Sequence, residues 1–188
     1  MVIALVVSVL LDAQAGGTRA EDTLGRVRAT AHARVARAQD VARDPDLVKA
    51  VRESNARGAS LADVQSKDAI WIARRDYPLR REVVARPCSV KLRKLLSDDP
   101  RIVEAFAMDD RGALVCATVE TSDYWQGDEP KWQRTFVQGR ASFVEEPALD
   151  ASTGVYAVQL SVPISEESRR VGALTFTLKL RRQTLTEP

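Results

Sequence analysis

The residues best suited to binding a small molecule lie in residues 120–129, a polar stretch between a predicted strand and a predicted helix. This stretch contains Ser122, Asp123, Tyr124, Trp125 and Gln126, so hydroxyl, carboxylate and amide groups stand next to two aromatic rings. Aromatic rings supply rigid apolar area, and binding residues are often carried by loops. The composition therefore predicts a ligand pocket beside this loop.

Three more side chains are candidates for the same pocket: Trp132, Arg134 and Tyr156. Arg134 offers a planar fork that matches a carboxylate, and Tyr156 lies on a predicted strand where we expect it, with Ser161, to face the same cavity. Trp132 is also four residues from Phe136, a spacing that equally fits docking of the helix on the sheet.

Carboxylates at Asp123, Asp128 and Glu129 leave an enzyme as a second class, because paired acids can perform acid–base catalysis or bind a hard cation. A hydrolytic enzyme using Asp128 and Glu129 is the specific alternative. The chain has no calcium loop, nucleophile elbow or phosphate loop, and its single histidine, His32, is distant in sequence. We therefore expect no catalysis, no cofactor and no metal, and we expect the two acids to cap the helix that follows.

The second half of the chain predicts an antiparallel sheet. Asp109, Asp110 and Gly112 form a turn between the apolar runs 102–108 and 113–119, the pattern of a β-hairpin. Three more strands are predicted at residues 141–146, 155–164 and 171–180. Short connections between them, with one helix crossing from strand two to strand three, imply five antiparallel strands over residues 101–181.

The first half, residues 18–97, predicts helices. An apolar stripe with helical spacing marks a long N-terminal helix, and it is formed by Leu24, Val27, Ala31, Val35, Ala38 and Val41. Such a narrow, alanine-rich stripe favours packing on a second copy or a partner helix. Asp44-Pro45 and the Ser60/Asp63 pair predict two further helix starts, and Pro87 a break in a later helix. The fold class is therefore α+β, with a helical layer on a five-stranded antiparallel sheet.

Composition limits the number of domains and the class of partner. The 188 residues suit a single domain with 45% hydrophobic residues, and a formal charge of +2 gives no sign of a nucleic-acid partner. Residues 1–11 are apolar and precede an A-x-A sequence, so residues 1–17 predict a signal peptide or a short membrane anchor. No basic residue precedes this run, which leaves an upstream start or a buried first helix as alternatives.

Cys88 and Cys116 are the only cysteines. Cys88 lies on a predicted helix and Cys116 in the middle of a predicted strand. In an oxidising compartment they could form a disulfide, whereas two buried free thiols fit the apolar surroundings equally well. Both alternatives stay open from the sequence.

The order of motifs in residues 92–180 resembles the Cache or PDC sensor domains, relatives of the PAS fold. The resemblance is carried by D-D-R-G, V-C-A-T, T-S-D-Y-W-Q-G-D-E-x-x-W, A-V-Q-L-S-V-P-I-S and R-V-G-A-L-T-F-T-L. It implies a long N-terminal helix on a PAS-like antiparallel sheet, with a carboxylate or amino acid bound between the sheet and its loops.

The resemblance implies a single extracytoplasmic sensor domain, residues 18–188, in the periplasm or tethered to a membrane. Such a domain would bind a small molecule and signal through a partner protein, as in chemotaxis, with a homodimer through the N-terminal helix as one arrangement. The family usually continues into a membrane span and an output module, so this chain is a separate sensor or part of a longer receptor. A structural adaptor without a ligand is the alternative, and it predicts a cavity filled by side chains.

Overall fold

The computed structural model of the protein describes residues 21–150 and 153–181. The helices are residues 21–32 (α1), Val35–Ala42 (α2), Pro45–Ala56 (α3), Leu61–Ala73 (α4), Pro78–Ala85 (α5), Pro87–Leu96 (α6) and Pro130–Trp132 (α7), and α7 continues as a π-helical turn, Gln133–Val137. The strands are Ile102–Met108 (β1), Leu114–Ala117 (β2), Phe143–Val144 (β3), Ala148–Asp150 (β4), Val155–Glu166 (β5) and Arg169–Arg181 (β6).

Side-chain caps start α3 and α4 where the sequence predicts them. The Asp44 carboxylate accepts hydrogen bonds from the amides of Asp46 and Leu47 at 3.0 and 3.3 Å. Ser60 and Asp63 form a reciprocal capping box, in which the Asp63 amide donates to Ser60 Oγ at 3.1 Å. These bonds satisfy amides that have no partner inside the helix, which fixes where each helix begins.

The N-terminal helix has one break that its pattern does not predict. Residues 33–34 form a turn between α1 and α2. At this turn Arg34 donates from Nε to Asp99 Oδ2 at 2.7 Å and from Nη1 to the Thr30 carbonyl at 2.8 Å. A tertiary ion pair thus lies where a continuous helix was expected.

Six strands in the described residues form one antiparallel sheet of order β2-β1-β6-β5-β3, with β4 also paired to β5. Since β6 occupies the other side of β5, β3 and β4 lie on the same edge and make one interrupted edge strand. Pro147 lies at the interruption and has no amide hydrogen for the ladder. The α+β class and the antiparallel sheet are confirmed. The third predicted strand, residues 141–146, is present as the short β3, and β4 is an additional strand that was not predicted.

The sheet is covered on both faces. On the first face Leu174, Phe176 and Leu178 of β6 pack in a core with residues of α1, α2, α3 and α6. On the second face Phe106 and Met108 of β1 belong to another core with residues of α4, α5, the 120–129 loop and α7. The alternation of side chains along each strand assigns them to these two cores.

The apolar stripe of the N-terminal helix is buried within its own chain. Val27, Ala31, Ala38 and Val41 are 0–7% exposed and belong to the first-face core, and α2 contacts β5 and β6. The expectation that this stripe packs on a second copy is therefore corrected, because the sheet already covers it. A homodimer through the N-terminal helix remains a prediction that would need another face.

Two further sequence expectations concern location and the cysteines. The predicted signal or anchor, residues 1–17, lies outside the described residues. Within the described ranges, no helix combines the length and apolar character that crossing a bilayer requires.

Cys88 and Cys116 form a disulfide with their Cα atoms 5.7 Å apart, which ties α6 to β2. The disulfide, and not the pair of buried free thiols, is therefore the alternative that the structure contains.

Candidate functional site

A buried arginine fixes the start of the 120–129 loop. Arg80 is 1% exposed, and its guanidinium lies 4.7 Å from the Trp71 ring. The Arg80 guanidinium donates hydrogen bonds to Glu120 Oε2 at 2.8 Å, to the Trp71 carbonyl at 2.8 Å and to the Thr121 carbonyl at 3.2 Å. Trp71 Nε1 donates to the same Thr121 carbonyl at 3.1 Å. The first two loop residues are thus held against α4 and α5.

The middle of the loop is held by α4 and the hairpin. Asp68 Oδ1 accepts hydrogen bonds from the amides of Tyr124 and Trp125 at 2.8 and 3.0 Å. Trp125 forms an isolated antiparallel bridge with Ala113, and its Nε1 donates to the Arg111 carbonyl at 2.8 Å. The loop therefore pairs with the hairpin through this single bridge.

Two glycines allow the loop and the hairpin turn to meet. Gly112 has φ of 79°, and a Cβ placed on it would lie 2.4 Å from Gly127 Cα. The Gln126 amide donates to the Gly112 carbonyl at 2.8 Å, and its side-chain amide donates to the Asp123 carbonyl at 3.1 Å. Gln126, a predicted ligand contact, is 2% exposed and holds the loop instead.

The other predicted contacts of this loop divide between solvent and core. Ser122 is exposed and donates to Asp123 Oδ2 at 2.8 Å. Tyr124 is buried, with its ring centroid 5.6 Å from that of Trp71, and burial raises the pKa of its hydroxyl. Trp125 is half-buried. The loop aromatics thus pack on the hairpin and α4.

Trp132 docks the α7 segment on the hairpin. Its Nε1 donates to the Asp109 carbonyl at 3.0 Å, and its ring stacks on Phe136 with centroids 5.0 Å apart. Arg134 donates from Nη1 to Gln138 Oε1 at 3.0 Å on the outer side of the same segment. Trp132 and Phe136 therefore pack the α7 segment against the sheet, which is the second of the two roles that their spacing fits.

Tyr156 lies away from the loop. It belongs to the first-face core and pairs with Leu180, whereas Ser161 pairs with Thr175 and forms a hydrogen bond with it. Ser161 is five positions after Tyr156 on β5, and this odd offset points their side chains to opposite faces of the sheet. The expected common cavity for these two residues is wrong, and only Ser161 is on the face of the loop.

A buried polar strip crosses the second face of the sheet. Ser161 and Thr175 are 0% exposed, and their hydroxyl oxygens are 2.8 Å apart. Next to them Thr177 Oγ1 donates to Glu104 Oε2 at 2.6 Å and accepts from Gln159 Nε2 at 3.3 Å. Polar groups in such a position need hydrogen-bond partners, and here they find them in one another.

A buried ammonium lies above this strip. Lys131 is 6% exposed, and its Nζ is 5.6 Å from the centroid of Phe106, the β1 neighbour of Thr175. Its carboxylate partner is Glu129, with Nζ and Oε2 3.5 Å apart. Glu129 occupies the N-cap position of α7, as expected, but its side chain makes no capping hydrogen bond to the helix. The π-helical turn that follows contacts β5 and β6.

A second carboxylate completes the charged cluster. Burial raises the pKa of Glu145, and the negative charge of Glu129 adds to the rise while Lys131 opposes it. The cluster of Lys131, Glu129 and Glu145 offers a cation for a carboxylate and two anions for an ammonium. Among the described residues no group of three histidine, cysteine or acidic side chains is placed to hold a metal ion.

Sequence reasoning missed Lys131, Thr175 and Thr177. In the pattern of β6, the threonines and Lys179 indicate a solvent face, yet Thr175 is fully buried and Thr177 is 8% exposed. The sequence did carry one signal of burial: these positions hold threonine and not lysine or glutamate. The short threonine hydroxyl can find its hydrogen-bond partners inside a protein. Lys131 had no signal, since lysine is seldom buried.

Neither a family model nor a curated protein matches the chain. Solved structures do resemble it. The ligand-binding domain of the Pseudomonas aeruginosa PAO1 amino acid chemoreceptor PctC, in complex with GABA, has a TM-score of 0.45 at 14% identity, covering 92% of this chain and 62% of that one. The sensor domain of the V. cholerae histidine kinase DctB has a TM-score of 0.45 at 10% identity, covering 91% and 56%.

The ligand-binding domain of the Pseudomonas fluorescens chemoreceptor CtaA, in complex with L-isoleucine, has a TM-score of 0.45 at 16% identity, covering 88% of this chain and 54% of that one. All three of these solved chains are ligand-binding or sensor domains. The chain spans between 54% and 62% of the length of these solved chains.

Proposed function

We propose that this protein is an extracytoplasmic sensor domain of the Cache or PDC type that binds an amino acid or small carboxylate. The proposed site is the second face of the sheet, beneath α7 and the π-helical turn. The observation that carries the proposal is the buried Lys131 ammonium above the strip of Ser161 and Thr175. This placement differs from the loop site that the sequence predicts, because the loop side chains are engaged in packing.

The charges around Lys131 favour a zwitterionic or anionic ligand. A buried cation is costly unless it is paired, and the Glu129 carboxylate, 37% exposed, is its ion-pair partner at 3.5 Å. A ligand carboxylate would replace Glu129 at Nζ, and a ligand ammonium would bind the carboxylates of Glu129 and Glu145. Local π-helical turns are frequent at functional sites, and one lies directly after Lys131.

Signalling would follow from movement of the segment over the site. The π-helical turn contacts β5 and β6, whose opposite face carries α2. A ligand that binds one arrangement of this turn better than another would shift the helix packing, and a partner protein or the rest of a longer receptor would detect the change. The Cys88–Cys116 disulfide supports an oxidising, extracytoplasmic location. Catalysis is not part of the proposal.

The test is a thermal-unfolding screen of the protein with the common amino acids, GABA and small mono- and dicarboxylates. A ligand at about a hundredfold excess over its Kd adds roughly 2.7 kcal/mol to the free energy of unfolding. The Lys131→Gln variant should lose this shift. Lys67→Gln, at an exposed position on α4, is the matched control and should keep it. A ligand whose effect survives Lys131→Gln would contradict the proposed site.

A structural adaptor is the second candidate, and a specific observation favours it. Tyr124 and Trp132 are both 8% exposed, and Trp132 stacks on Phe136, so side chains fill the space beside the loop. An adaptor should show no thermal shift with any compound in the screen. It should instead self-associate or capture a partner, which analytical ultracentrifugation of the same samples would detect.

A further inference from the structure

A groove between α3 and α6 is separate from the proposed ligand site. Its volume is about 810 Å³, within the range of small-molecule pockets. Both helices contribute to the first-face core, whereas the Lys131 cluster lies on the second face. The groove therefore stands on the opposite side of the sheet from the site of the proposed function.

Ion pairs join the two helices that form the groove. Lys91, in the middle of α6, has its Nζ 3.4 Å from Asp44 Oδ2 and 3.2 Å from Asp46 Oδ2, both at the start of α3. Arg57, the C-cap of α3, and Pro87, at the start of α6, both line the groove. The groove is about 16 Å long, the rise of the eleven residues from Asp46 to Arg57.

The base of the groove is apolar. Ala50 of α3 and Val90 of α6 lie on its two sides, and Cys88 and Val115 close it below. Val90 is 52% exposed although it is a large apolar residue on a helix. The disulfide to Cys116 and the bonds from Arg86 to the Val115 carbonyl, at 2.9 Å, hold this base against β2.

The rim of the groove has more positive than negative side chains. The basic lining residues are Lys49, Arg57, Arg86, Lys91 and Lys94, and the acidic ones are Asp46, Glu53 and Glu82. Each acid is already paired with a cation of the same rim: Asp46 with Lys91, Glu53 with Lys49, and Glu82 with Arg86. In the described part of the chain, Arg57 and Lys94 have no carboxylate within ion-pair distance.

From this combination we infer that the groove binds an amphipathic monoanion, specifically a medium-chain carboxylate. Its hydrocarbon chain would lie on Val90 and Ala50, and burial of this chain and of the exposed Val90 would supply the affinity. Its carboxylate would pair with the Arg57 guanidinium, which can bind both oxygens. The inference does not depend on the proposed function, because no residue is shared between the two sites.

Isothermal titration of the protein with decanoate tests the inference. One decanoate should bind per chain, and decanol, which has the same chain length without the charge, should bind at least tenfold more weakly. Val90→Glu places a carboxylate on the apolar wall and should weaken decanoate binding at least tenfold. Arg57→Gln should weaken decanoate binding and leave decanol binding unchanged.

Matched controls separate the groove from general surface effects. Ile72→Glu changes an apolar residue of α4 that is 57% exposed, and Arg75→Gln removes an exposed charge beyond the same helix. Both controls should bind decanoate like the unmodified protein. Absence of saturable binding, or equal affinities of Val90→Glu and Ile72→Glu, would overturn the inference. Lys131→Gln should leave decanoate binding unchanged, so a failure here is distinct from a failure of the sensor site.

Discussion

Replacement of Arg80 by alanine should reveal how strongly the 120–129 loop is held. Arg80 donates to the Trp71 and Thr121 carbonyls inside the protein, and hydrogen bonds from a charged donor contribute about 1.5–3 kcal/mol each. The ion pair with Glu120 adds little, because the Glu120 side chain is 41% exposed and solvent screens it. We therefore expect Arg80→Ala to lower the free energy of unfolding by about 3–5 kcal/mol.

Urea unfolding followed by tryptophan fluorescence measures this change, because Trp71 contacts Arg80 directly. Thermal unfolding should shift by roughly 10 °C, since about 2–4 °C corresponds to 1 kcal/mol at this size. Glu120→Gln should cost less than about 1 kcal/mol, and Arg81→Ala, at the exposed neighbouring position, should be close to neutral. An Arg80→Ala variant as stable as Arg81→Ala would refute the view that the carbonyl bonds hold the loop.

Three other predictions concern stability. Gly112→Ala should lower the free energy of unfolding in urea by roughly 3 kcal/mol, because the residue has positive φ and its new Cβ would clash with Gly127. Gly154→Ala, at positive φ but in open space, should lower it by only about 1–2 kcal/mol. Equal losses of stability in the two variants would contradict this reasoning. Burial raises the pKa of Asp109, so the folded state binds a proton at this carboxylate more tightly than the unfolded state does. Protonation of Asp109 therefore adds to the free energy of unfolding at low pH, and this contribution is lost as pH rises through the raised pKa. Relative to Asp109→Asn, the unmodified protein should gain stability as pH falls from about 7 toward 4, and a relative loss would be inconsistent with a raised pKa. Reduction of the Cys88–Cys116 disulfide, which closes a separation of 28 residues, should lower the free energy of unfolding by about 3.5 kcal/mol, and no change with reductant would count against the bridge.

Local signals in the sequence predicted the frame of this fold well. The Asp44 and Ser60 caps, the hairpin turn at Gly112 and the alternation of β5 and β6 each depend on residues close in the chain. Such features need no knowledge of distant contacts, because capping bonds and glycine turns are formed within a few residues. The α+β class followed from the order of these elements.

The candidate site depended on contacts that the sequence does not show. On α4, Trp71 is fully buried whereas the neighbouring apolar Ile70 is 38% exposed, because only one face of the helix packs in the second-face core. Polar residues of the loop looked available for a ligand, but Asp68, 56 residues before Tyr124 in the chain, accepts hydrogen bonds from the amides of Tyr124 and Trp125. The buried Lys131 could be located only once the strands were paired.

The bridge between Trp125 and Ala113 also affects how copies of this protein can associate. Exposed strand edges invite pairing with other chains, and at the β2 edge the loop already occupies the Leu114 amide through the Tyr124 carbonyl at 3.0 Å. At the opposite edge, the ladder is broken at Pro147 between two short strands. Both boundaries of the sheet thus resist the addition of a further strand, so association with another protein should use the helices and loops.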